Sequence, residues 1–311
     1  MIYYSKGNDI MGLFDLFKGK TSISPPKEEK NEPVEAAQTP PADTENETKT
    51  AKLALDRVRR KTMKPVLNFE LTNVPVSING SKVGGVPYMP ADTEVPTDKN
   101  GSPLQFLAQI DCRELSGLPD FPQKGLLQFW IGQDDGLGLF TEGGSRVIWY
   151  EDIDETVTEA DVRAKLDQLP KSDENFSPVN GEYGISLSQG EEPMPADNAH
   201  FPPIFIAEFN KLSMGRKIES MDDLDDSTNE MIWDYTDNSG HKIGGYPMFT
   251  QWDPRSENDD RTVLLFQLDS DYSTDSEKVM WGDAGVCGFF CTPSELRKRD
   301  LTNVLYNWDC G

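Results

Sequence analysis

The chain has 311 residues, enough for one large domain or two ordinary ones, with 36% hydrophobic residues and a formal net charge of -24 at neutral pH. Residues 1–60 hold ten basic and ten acidic side chains, whereas residues 61–311 hold twenty against forty-four. A body this acidic repels phosphate backbones and anionic lipid surfaces, which argues against a nucleic-acid partner and leaves solubility, a cation or a basic partner protein to explain the charge.

Residues 1–20 contain a short amphipathic segment, Met11 to Lys20, with Leu13, Phe14, Leu16 and Phe17 on one helical stripe and Lys18 and Lys20 at its far end. That pattern suits weak docking on a membrane or a partner, and it is too short to span a bilayer. Leu16 stands where a myristoylation signal after Met-Gly needs Ser or Thr. Met11 is a second candidate start, because Lys6-Gly7 must be encoded by AAR-GGN, which resembles a bacterial ribosome-binding sequence. No cleavable signal peptide is visible. Cys112, Cys287, Cys291 and Cys310 show neither CxxC nor disulfide-dense spacing, so the chain reads as cytoplasmic. Residues 21–50 carry five prolines, six glutamates and no aromatic residue, the composition of a disordered linker.

The folded domain is expected over 51–311, opening on a short basic helix across Ala51–Arg60 with Leu53, Leu55 and Val58 on its apolar side. Leu67–Leu71 and Val74–Ile78 alternate as strands, Asn79-Gly80 marks a turn, and Leu104–Ile110 and Leu126–Ile131 read as buried strands. Thr158 caps a helix running to about Leu169, residues 170–200 read as a connection, and Phe201–Phe209 reads as strand-like. Thr292-Pro293-Ser294-Glu295 is a capping box opening a helix to Arg299.

Several of these blocks occur twice. Lys82-Val83-Gly84-Gly85-Val86-Pro87 returns as Lys242-Ile243-Gly244-Gly245-Tyr246-Pro247, Leu107–Asp111 as Leu265–Asp269, Gly125–Ile131 as Gly285–Cys291, and more faintly Val147–Asp152 as Val304–Asp309. Near-constant offsets mark a duplicated unit, with repeats over about 61–200 and 201–311. The expected fold is α+β: strand-rich, internally duplicated, one extensive or two related sheets with a few peripheral helices.

The stretches Gly84–Pro90, Pro103–Asp111 and Leu118–Phe129, with Gly244–Pro247, Met280–Gly285 and Val304–Cys310, resemble the YwqG family over about residues 61–311. The resemblance implies a bacterial cytoplasmic protein with a duplicated α+β fold. It supplies no function, because that family is a domain of unknown function.

No GxGxxG, Walker, GxSxG, HExxH or kinase motif is present, and nothing points to a cofactor. With only His200 and His241, a zinc site lacks ligands. Gly84-Gly85 and Gly244-Gly245 read as structural turns before anion cradles. Gln109 and Asp111, with their counterparts Gln267 and Asp269, end buried strands on one face and could converge on a pseudo-twofold axis to hold a ligand or a cation; capping of strand ends is the plainer alternative. Trp281, Asp283, Asn307, Trp308 and Asp309 combine indoles with carboxylates, a pairing suited to a sugar or a positively charged ligand and equally to a core. Asp269–Asp275 imitates an EF-hand but has Thr274 at the sixth position and Met280 at the twelfth. Met221–Asp226 reads as a solvated acidic turn.

Three functions remain open at this level. They are a non-enzymatic module binding a protein or small ligand at the inter-repeat groove, a metal-assisted hydrolase using the strand-end aspartates, and an immunity-type acidic protein neutralising a basic toxin.

Overall fold

The computed structural model describes residues 41–170, 175–234, 238–256, 258–274 and 276–311, with side chains from residue 46 onward. The segment Met11–Lys20 and linker residues 21–40 lie outside the described residues. Ten strands form one sheet: β1 (Lys64–Thr72), β2 (Lys82–Gly84), β3 (Gln105–Asp111), β4 (Leu126–Ile131), β5 (Ser145–Tyr150), β6 (Glu182–Glu192), β7 (His241–Gly244), β8 (Val263–Asp269), β11 (Val286–Cys291) and β12 (Leu305–Asp309). A ribbon of β9 (Asp271–Ser273) and β10 (Ser276–Val279) stands apart. The helices are α1 (Pro41–Thr62), α2 (Glu159–Leu166), α3 (Phe201–Leu212), α4 (Asp226–Trp233) and α5 (Pro293–Lys298). The chain is α+β and strand-rich, as its sequence implies.

The strand order is β12-β11-β8-β7-β1-β6-β2-β3-β4-β5, and every neighbouring pair is antiparallel. The order is a palindrome about the β1/β6 pair: β7, β8, β11 and β12 repeat on one wing what β2, β3, β4 and β5 build on the other. At the centre the copies exchange strands. β1, which leads into β2, pairs with β7 (Val66 opposite Gly244), while β6, which precedes β7, pairs with β2 (Glu182 opposite Gly84). Strand register also fixes the faint fourth block. Leu126 faces Tyr150 and its counterpart Val286 faces Asp309, so Trp149 matches Trp308 and Tyr150 matches Asp309. The sequence alignment of Val147 with Val304 is two residues out.

The wings fold face to face. Phe129 of β4 stacks on Phe266 of β8 with ring centroids 4.5 Å apart and meets Phe289 of β11 at 5.0 Å. The interior also takes Leu67, Phe69 and Leu71 from β1 and Leu107 and Ile110 from β3. Each buried aromatic or leucine contributes roughly 1.5–3 kcal/mol of transfer free energy, so this shared interior, rather than either wing alone, holds the sheet folded. The outer side is covered by two smaller clusters, one centred on Met89, Leu104, Trp130 and Val162, the other on α1, α3 and α4.

Several elements differ from expectation. α1 begins ten residues before Ala51, and its buried Ala51, Ala54, Leu55 and Val58 follow helical spacing while Leu53 is exposed. Val74–Ile78 is not a strand: Pro75 has no amide to donate, and Gly80 N–H closes a turn on Ser77 O at 3.0 Å. Phe201–Leu212 is helical, because Pro202 and Pro203 suit its first turn and Phe201, Phe205 and Phe209, four apart, stack in series against α1. The supposed connection over 170–200 contains β6, eleven residues long and central in the sheet. Its Tyr183, Ile185 and Leu187 alternate with Ser, Gly and Glu, a period-two signal diluted by small residues. The acidic turn is structured: Ser220 and Asp223 form a capping box and Asp225 caps α4. The expected caps are present at Thr158 and, with Glu295 reaching back, at Thr292.

Candidate functional site

The strand-end glutamines are fully buried and carry matching bonds. Gln109 Oε1 accepts from Tyr88 N–H at 2.9 Å and from Gln128 Nε2 at 2.8 Å, while its Nε2 donates to Ile78 O and Gly80 O. Gln267 Oε1 accepts from Met248 N–H at 2.8 Å, and its Nε2 donates to Asn238 O and Gly240 O. Each glutamine thus ties together the two loops flanking the short strand beside it. Asp111 caps the turn Cys112–Leu115 through Arg113 N–H and holds the Arg113 guanidinium; Asp269 accepts from Gly240 and Ser270 amides. The hydrogen bonds of these four side chains stay within their own repeats, and none joins Gln109 or Asp111 to Gln267 or Asp269 among the described residues. No group of three or more His, Cys, Asp or Glu is placed to hold a metal among them either.

The repeated lysines are more unusual. Lys82 and Lys242 are each 1% exposed, and β6 supplies a glutamate to both: Glu182 lies 3.5 Å from Lys82 Nζ and Glu192 2.9 Å from Lys242 Nζ. Burial lowers the Lys82 pKa and the Glu182 charge opposes it. The same glutamates explain the glycine pairs. Gly85 and Gly245 have φ of +75° and +66°, and a Cβ on either would fall 2.1 Å from a Glu182 or Glu192 oxygen. These pairs are turns that let a carboxylate reach a buried lysine.

The second cluster opens on a cavity of about 330 Å³ lined by Leu139, Phe140, Gln251, Trp252, Asn307, Trp308, Asp309 and Cys310. It lies between the repeats, with the β4–β5 loop of the first on one side and the β7–β8 loop and β12 of the second on the other. β12 fixes the facing loop: Trp308 Nε1 donates to Gly136 O at 2.8 Å and Tyr306 Oη to Leu137 O at 3.1 Å. Phe140 and Trp252 are 76% and 70% exposed, so large apolar rings stand at the mouth. Asp309 Oδ2 accepts from Gln251 N–H at 2.7 Å. Burial pushes its carboxyl above the usual carboxylate range, against the Thr250, Gln251 and Trp252 groups that favour the charged form. Asp309 Oδ1 and the Thr250 hydroxyl are buried beside this bond without completing one of good geometry themselves. The lining holds one carboxylate and no basic side chain.

Of the sequence candidates, Asn307, Trp308 and Asp309 line this cavity. Trp281 stands behind Trp308 with centroids 6.0 Å apart and is wholly buried; Asp283 is exposed outside the lining. Leu139, Phe140, Gln251 and Trp252 were not singled out by sequence, and Cys310 was noted only as a cysteine and at the end of the Val304–Cys310 stretch. The signal available was an exposed-type ring in each of two polar, glycine- or proline-bearing loops.

The sequence profile described as Domain of unknown function (DUF1963) matches residues 81–310, across both wings of the sheet. The chain belongs to that family. No curated protein shows a significant sequence match. The DUF1963 match begins at Ser81, so it includes every residue lining the cavity and leaves out α1 and β1. No helix among the described residues is long and apolar enough to cross a membrane.

Proposed function

We propose that this protein is a cytoplasmic, YwqG-like binding module without chemistry of its own, which captures a small ligand or an element of a partner protein in the groove between its repeats. The observation that carries the reading is the cavity of about 330 Å³ joined by two exposed aromatic rings and a half-buried carboxylate. Concave sites with apolar walls and a few placed polar groups are the usual form of ligand pockets. The hydrolase alternative is less well supported. Asp111 and Asp269 each bond within their own repeat, and neither lines the groove. The acidic body favours a basic partner over an acidic one, so a role in neutralising a basic protein is compatible with the groove reading.

A fragment screen followed by ligand-observed NMR tests it. Hits should quench Trp252 fluorescence and disappear in Trp252→Ala, an exposed position whose loss leaves the fold intact. A metal-dependent turnover abolished by Asp111→Asn and Asp269→Asn would replace the module with the enzyme.

A further inference from the structure

Resting on the groove reading, the pseudo-twofold symmetry says more about what the groove accepts. Trp149 on β5 is the counterpart of Trp308 on β12, and the β11–β12 connection is the counterpart of the β4–β5 loop. On the Trp149 side, that connection reaches across to the other repeat and lays a guanidinium on the indole: Arg299 Cζ is 5.8 Å from the Trp149 ring centroid. The group is fixed there by bonds from Arg299 Nη1 to Asp120 O and Leu296 O, each 2.6 Å. Trp149 Nε1 donates to Lys124 O at 3.0 Å within its own repeat, whereas Trp308 Nε1 donates across the groove to Gly136 O of the other repeat.

On the Trp308 side, the reaching loop supplies Leu139 and Phe140 and the space stays open. Where the first repeat has Tyr150, this side has Asp309, which takes part in no ion pair among the described residues. One copy of the unit therefore satisfies its tryptophan with an internal cation. The other keeps the tryptophan, adds a carboxylate and two aromatic rings, and supplies no cation.

We infer that the open groove binds a guanidinium group supplied from outside the chain, in the manner of an arginine side chain, held between aromatic rings and beside the Asp309 carboxylate. A planar guanidinium stacks on aromatic faces and pairs with carboxylates in ways a compact ammonium does not. The net charge of the body draws such a ligand in.

The test is isothermal titration of the full chain with four probes: agmatine, N-acetyl-arginine amide, an acetyl-Gly-Arg-Gly amide peptide, and N-acetyl-citrulline amide as the uncharged isostere. At least one guanidinium probe should bind one to one, and citrulline should bind about tenfold more weakly or not at all. Trp252→Ala and Asp309→Asn should each weaken the guanidinium probe by about tenfold while circular dichroism stays unchanged. Equal binding of agmatine and the peptide identifies a small-molecule ligand; preference for the peptide identifies an arginine presented by a protein.

Citrulline binding as tightly as arginine, no guanidinium probe binding, or affinity untouched by both variants overturns the guanidinium assignment. Neutral fragments that still bind and still depend on Trp252 would then leave the groove reading standing. Absence of any Trp252-dependent hit removes both.

Discussion

The two wings of the sheet are built to one plan, and the positions where they agree serve a different purpose from those where they part. Gln109 and Gln267, Lys82 and Lys242, and the glycine pairs keep corresponding bonds in both copies, apart from the extra bond from Gln128 to Gln109, and those shared bonds end on loops or on counter-charges from β6. Trp149 and Trp308 keep the same ring, yet one lies under Arg299 and the other lines an open cavity. Retained symmetry marks what folding requires; lost symmetry marks the surface that could take up a task.

The most severe way to break this comparison is to remove a shared glutamine. Gln109→Ala should orphan the Tyr88 amide and two carbonyls and take one of its partners from Gln128, which keeps Tyr88 O and Trp130, and at roughly 1–3 kcal/mol for each buried group left unsatisfied the loss should reach about 4 kcal/mol in urea unfolding. Gln267→Ala, with three partners, should lose about 3 kcal/mol. A cost below about 1 kcal/mol for both would mean these residues are not structural ties.

A smaller effect, of opposite sign, distinguishes the Lys242 side. Asp197 there has an unpaired buried Oδ1, and its carboxyl is pushed up to about 6, chiefly by burial and by Asp253, with Lys242 and Arg255 opposing. A folded-state pKa raised above the unfolded value means that stability held in the protonated form is lost as pH rises through about 6. Asp197→Asn should therefore stabilise the protein by up to about 3 kcal/mol at pH 7.5 and leave it unchanged below about pH 4. Melting temperatures that shift equally at both pH values would show the effect is not ionisation.

The smallest stability change should sharpen the comparison most. Arg299→Ala removes a partly exposed cation and should cost about 1 kcal/mol. It should also uncover the Trp149 indole for a second guanidinium probe, bound at least about tenfold more weakly than the first because Tyr150 stands where the groove has Asp309. A stoichiometry that stays at one, with the first site intact, would show that the counterpart lacks the groove's capacity.

Much of the fold was legible from residues: continuous apolar runs located β3 and β4, the Thr158 cap located α2 and the Thr292 capping box located α5. β6 was not, because Ser and Gly dilute its alternation and its burial comes from pairing with β1, far away in sequence. α3 was misread because an aromatic-rich run looks like a strand until the four-residue spacing of Phe201, Phe205 and Phe209 is weighed. The groove was half visible. Asn307, Trp308 and Asp309 stood out as indole beside carboxylate, whereas Leu139, Phe140, Gln251 and Trp252 acquire meaning only when loops more than a hundred residues apart are brought together by β12.

The crossing of β1 and β6 has a consequence for how the chain can be divided. Lys64 is registered against Glu192 and Val66 against Gly244, so the first strand of the body finds its partners only after most of the chain has been made. Closing so long a loop costs entropy before any ladder bond repays it, which predicts slow, late completion of the sheet. A break between β5 and β6 would leave β1 and β6 in different fragments, each an unpaired strand whose partners lie in the other. Two such fragments, separately made, should be soluble only when mixed, a split protein whose halves recognise each other through the strands they have lent.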